Sequence, residues 1–178
     1  ARPDRKYYPK GSPFYTMRNM APYTLAFWKV VWNRIDNKLQ GAVVGKFKGR
    51  SILPQDTHTF VSFDTPEEAH FFVAIFNSAP SDLLVRSYSV SKGFAAPHVL
   101  EFISIPKFNP KDKLHMRLAE LSEKAHKAAG EGDDDKIKAL EGEIDESAAE
   151  LWGITRPELK AIQDALKAME PKTKRRGK

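Results

Sequence analysis

The chain has no cysteine in 178 residues. Disulfides and thiolate metal sites are therefore excluded, and the cytosol is the natural compartment. No apolar run is long enough to span a bilayer, and no basic-then-apolar leader is seen, so no membrane partner is expected. Histidine is sparse. His58, His70, His98, His115 and His126 show no pair at metal-ligand spacing, which points to packed or surface roles. A phosphate-cradling glycine turn is also missing. Gly41, Gly45 and Gly49 are evenly spaced, but they fall in and just after a hairpin strand, where they read as turn or bulge positions. Asp133, Asp134 and Asp135 lack the remaining ligands of a calcium loop, and acids are favoured at a helix start by the helix dipole.

Acidic residues are scarce in one region only. Residues 1–50 hold 11 Lys/Arg against 2 Asp/Glu, whereas residues 111–169 hold 10 against 14. A basic first third feeding an acidic helical end suits a polyanion-binding face on a solvated support. The hydrophobic fraction, 41%, is that of a globular protein, and the length allows a domain with a proper core. The start at Ala1 fits a domain excised from a longer chain.

The apolar pattern predicts an α+β protein. Residues 1–14, with three prolines, form an extended lead-in. Trp28 to Ile35 alternates, with Trp28, Val30 and Trp32 on one side; Asp36, Asn37 and Lys38 make a turn, and Leu39 to Phe47 returns. Lys48 to Ser51 reads as a loop. Ile52-Leu53 and Thr57 to Phe63 add strand, interrupted at Pro54. Thr65, Pro66 and Glu68 open a helix with Ala69, Phe72, Val73 and Phe76 on one face; it stops before Pro80. Ser81 and Asp82 are placed to cap a short second helix carrying Leu83, Leu84 and Val85. Beyond residue 110 come two long amphipathic helices around Gly132, with an apolar stripe of Ile137, Leu140, Ile144, Ala148 and Leu151. Thr155 and Glu158 form a capping box for a third helix. The expected division is a recognition lobe at 15–110, a helical spacer or docking region at 111–169, and a basic disordered tail at 170–178.

The order of these segments is informative. The helix ending in FNSAPSDLLVRSYS is followed by a Ser/Gly-containing loop, then HVLEFISIPKF and a charged helix. With FWKVVWNRIDNKLQGAVVG and ILPQDTHTFVSF upstream, and NPKDKLHMRLAELSEKAHKAA and ELWGITRPELKAIQDAL downstream, this resembles the C-terminal target recognition region of gamma-class adenine-N6 DNA methyltransferases. That group includes type IIG restriction–modification enzymes and TaqI-like specificity domains. The resemblance runs from about Tyr15 to Leu166. It implies sequence-specific binding of double-stranded DNA, and a methyltransferase (or additionally nuclease) domain as partner. S-adenosylmethionine would belong to that catalytic domain, with no cofactor in this chain. The family's adenine-gripping Asn/Asp-Pro-Pro-aromatic motif is absent, since Asn109-Pro110 is followed by Lys111. The chain is therefore not expected to be catalytic by itself.

The cations best placed to meet DNA are Arg18, Lys29, Arg34, Lys46, Lys48, Arg50, Arg86 and Lys92, with Ser87 and Tyr88 beside them. Lys46, Lys48 and Arg50 alternate along a strand end and loop, so they project together. Two readings compete residue by residue: Arg86 is one helical turn from Asp82 and suits an internal ion pair, and Trp28 and Trp32 suit the core better than a base-stacking platform. The alternative to DNA recognition is a protein–protein docking module of a restriction–modification complex, without its own DNA specificity, whose helical hairpin binds a partner subunit; the Leu140/Ile144 stripe suits either such a contact or the core.

Overall fold

The structure, a computed structural model, describes residues 21–36, 38–55, 57–88 and 100–170. Its sheet is built where the sequence alternates. β1 (Trp28–Asn33) pairs antiparallel with β2 (Gly41–Val44), Lys29 opposite Val44 and Trp32 opposite Gly41. β5 (His58–Phe63) pairs antiparallel on the other side of β1, which gives the order β2-β1-β5. Lys48 to Ser51 is not a plain loop. β3 (Lys46–Phe47) and β4 (Arg50–Ser51) form a second, two-stranded ribbon. Ile52 and Leu53 lie outside any strand.

α1 (Pro66–Asn77) begins as its sequence requires, with the Thr65 hydroxyl accepting the Glu68 N–H at 3.2 Å and Pro66 in the first turn. Its apolar residues do more than form one stripe. Ala69, Val73 and Phe76 pack on Val30 and Trp32 of the sheet, with the Trp32 and Phe76 rings 4.9 Å apart. Phe71, Ala74 and Ile75 face the other way, into a second cluster. A helix apolar nearly all round is a buried helix, and α1 is the middle layer of the fold.

The second cluster is completed by Leu118, Ala119, Leu121 and Ala128 of α3 (Lys113–Glu131) and by Leu140 and Ile144 of α4 (Asp134–Trp152). α3 ends on Gly132 at φ 73°, and the Asp133 carboxylate caps α4 by accepting the Lys136 N–H. This two-residue reversal makes the expected helical hairpin, and it puts the Asp133–Asp135 run at a helix start. α5 (Arg156–Met169) opens on the Thr155/Glu158 capping box and packs against α2 (Ala79–Tyr88). Residues 111–169 pack directly on the rest of the fold. They share a core with the β-rich lobe through α1, and the Trp152 indole donates to the Ser104 carbonyl across the same seam.

α2 starts earlier than its sequence suggests. Ser81 and Asp82 lie inside it, both buried, and the Ala79 N–H is capped instead by the Asp145 carboxylate of α4 at 2.7 Å. The expected lead-in at 1–14 and the basic tail after Glu170 lie outside the described residues. Among the described residues, no helix is long and apolar enough to cross a membrane.

Candidate nucleic-acid interface

The β3–β4 ribbon is organised by its turn. Lys48 and Gly49 both have positive φ, 50° and 75°, the two-residue geometry whose twist matches that of paired strands. Gly49 adopts it without strain; a lysine there carries a backbone penalty of about 1 kcal/mol. At the other end of the ribbon, Gly45 lets the chain pass over Trp28. A Cβ at Gly45 would sit 2.6 Å from the indole. Of the three evenly spaced glycines, Gly49 is therefore a turn residue, while Gly45 is a close approach.

Three of the candidate cations lie on this ribbon, Lys46 opposite Ser51 and Arg50 opposite Phe47, so that Lys46 and Arg50 stand on alternate faces. Lys46, Lys48 and Arg50 are all exposed, and none forms an ion pair with an acid among the described residues. Arg50 is the cross-strand partner of Phe47, which is 64% exposed. The Lys46 ammonium lies 4.2 Å from the centre of the half-exposed Phe27 ring, and that of Lys48 lies 5.5 Å from the Phe47 ring. Basic and aromatic groups are interleaved here as they are in surfaces that track a nucleic-acid backbone.

Lys29 leaves the candidate set. It is fully buried on the sheet face opposite Val30, and its ammonium donates to the Ala26 carbonyl and to Ser51 Oγ. Ser51 Oγ in turn donates to the Ala26 carbonyl at 2.8 Å. Burial holds the Lys29 ammonium below the ordinary lysine pKa. Lys29 therefore anchors the base of the ribbon and does not reach phosphate.

Arg86 leaves it too, because Asp82 takes both arms of its guanidinium: Nε to Oδ1 at 3.0 Å and the terminal nitrogen to Oδ2 at 2.7 Å. The internal ion pair is the reading the structure supports. Ser87 turns back onto its own helix, donating to the Leu83 carbonyl. Tyr88 is exposed and stacks on Phe102 with ring centres 4.8 Å apart. Arg34 is exposed but follows the end of β1 remote from the ribbon, beside Thr57. Arg18 and Lys92 lie outside the described residues.

What the sequence reading missed is how the sheet edge is closed. The N–H groups of Leu39, Gly41 and Val43 point away from β1, and each finds a helix-borne acceptor. Asp82 Oδ1 accepts from Leu39 at 2.9 Å, Asn77 Oδ1 from Gly41 at 2.7 Å, and His126 Nε2 from Val43 at 2.9 Å. His126 Nδ1 donates to the Ser122 carbonyl, so both of its nitrogens are engaged. His70 packs edge-on to it, with ring centres 5.0 Å apart, and contacts Ser122 Oγ at 3.1 Å. Burial first, then the His126 neighbour, lowers the His70 pKa to about 4, against the opposing pull of Glu67.

A groove of about 520 Å³ runs between this closed edge and α3–α5. Its wall mixes Lys38, Lys138 and Lys167 with Glu141, Asp145 and Glu170. Asp145 is engaged by the Ala79 N–H and by Gln163 at 2.9 Å, and burial raises its pKa. The mixed sign makes the groove a poor seat for a polyanion; the ribbon carries one sign only. Comparison with known protein families, curated proteins and solved structures yields no match for this chain.

Proposed function

We propose that the chain is a double-stranded DNA recognition module whose contact face is the β3–β4 ribbon. In the parent enzyme it positions a recognition sequence so that an adenine-N6 methyltransferase domain outside this chain receives the flipped base. S-adenosylmethionine binds that domain. The observation that carries the reading is the placing of Lys46, Lys48 and Arg50, all exposed, on one two-residue-turn ribbon, with none of them in an ion pair to an acid among the described residues. Such cations supply the salt-dependent bulk of DNA affinity. The order of segments that resembles a target recognition region gives the reading its sequence-specific form.

For the docking alternative, the Leu140/Ile144 stripe is not the surface that a partner would use. Leu140 and Ile144 are buried against α1 and α3, so the stripe is internal core. Selection of bound duplexes from a random-sequence pool tests the proposal. Enrichment of one short motif by the wild-type chain supports it, and the K46A/K48A/R50A variant then retains little binding. A pool that stays random counts against it.

A further inference from the structure

An exposed aromatic side chain alone means little. Phe47 is unusual in its setting: it stands one residue from a tight turn, paired across the ribbon with Arg50 and flanked by Lys46 and Lys48. Leu25 and Phe27, both exposed, adjoin the ribbon base, because the Ala26 carbonyl between them accepts the Ser51 hydroxyl. A two-stranded ribbon is thin enough to enter a DNA groove. Its cations require phosphate; its ring requires an apolar face. A duplex offers both at once, with the most apolar area for the ring, where a base face is uncovered between its two backbones.

We propose that Phe47 is a stacking wedge, an inference that rests on the DNA-binding reading above. Its ring lies against a base uncovered at one opened or kinked step, while Lys46, Lys48 and Arg50 hold the flanking phosphates. Lys29 makes the wedge stiff by tying Ser51 to Ala26 at its base. The occupant is a duplex that opens easily at the contacted step. Flexible pyrimidine–purine steps and mismatches are therefore favoured there, since less stacking is lost on opening.

The test uses the full chain, one fully paired labelled duplex and a series of labelled duplexes of the same sequence with a single mismatch moved across it, at several salt concentrations. The wild-type chain is expected to prefer the best mismatch duplex by about tenfold. F47A binds all the duplexes alike and keeps the wild-type salt slope; F47W keeps the preference. K48A keeps the preference and loses about one unit of slope. A mismatch preference that survives in F47A overturns the wedge. So does wild-type binding with a normal salt slope and no preference, and in that case the DNA-binding reading stands. Absence of binding to any of the duplexes overturns both.

Discussion

Asn77 pairs with the backbone of Gly41 as a neighbouring strand would. Its Oδ1 accepts the Gly41 N–H at 2.7 Å and its Nδ2 donates to the Gly41 carbonyl at 2.9 Å. One side chain at the end of α1 thus satisfies both polar groups of a sheet-edge residue. Together with Asp82 and His126 it closes an edge that would otherwise accept a further strand. N77A is expected to lower stability by about 2 kcal/mol, because both Gly41 groups lose their partner. Urea unfolding measures this as a shifted midpoint at constant slope. N77D removes only the donor and sets a carboxylate against the Gly41 carbonyl, so it is expected to be at least as destabilising.

Arg86 and Lys48 differ in kind, and their variants separate two readouts. R86A strands a nearly buried Asp82 carboxylate and is expected to cost about 3 kcal/mol of stability. The salt slope of DNA binding stays unchanged. K48N places a residue that tolerates positive φ in the turn. Its stability is expected to hold or rise slightly, while the slope falls by about one unit. Thermal unfolding and salt titration of both variants check the pair.

The His70 pKa sets a pH dependence with a definite sign. The group is held near 4 in the fold against 6.5 for the free side chain, so the unfolded chain binds the proton first. The stability that neutral His70 contributes is complete above pH 6.5 and is lost as pH falls toward 4. Asp145 acts in the opposite sense: its raised pKa favours the fold as pH falls toward the range where it protonates. H70Q isolates the histidine contribution. Its denaturation midpoint is expected to fall less than that of the wild type between pH 6.5 and 4. Equal slopes in the two proteins would contradict the assignment.

L140D and I144D distinguish core from docking surface. Each places a charge in the cluster between α1, α3 and α4, and each is expected to cost more than about 3 kcal/mol. Circular dichroism should show lost helix or a collapsed melting temperature. A variant that keeps the wild-type melt and loses only a partner would restore the docking reading.

Much of this fold was legible because local chemistry and tertiary need agree. Thr65 and Pro66 start α1, Gly132 and Gly153 end α3 and α4, and the alternation of β1 puts Val30 and Trp32 inward. The misses have a common cause, which is that a side chain's partner can lie far along the chain. Lys29 reads as a solvent-facing strand residue until Ser51, 22 residues on, is seen to hold it. Asp82 reads as a cap until Leu39, 43 residues away, donates to it. The KGRS run reads as loop because Lys is not a usual residue at positive φ. The same run joins the candidate site once its turn is formed, so the cations of the proposed interface were visible while the ribbon that presents them was not. Helical periodicity also assigned α1 one buried face, although its unbroken apolar run from Phe71 to Phe76 serves two.

The most direct test of the central claim is the salt dependence of duplex binding by the wild-type chain and by K46A/K48A/R50A. The account predicts that wild-type affinity falls steeply with salt and that the triple variant loses about three units of the log–log slope while its melting temperature holds. An unchanged slope in a folded triple variant would show that the DNA-contact face, if the chain has one, lies elsewhere than the β3–β4 ribbon.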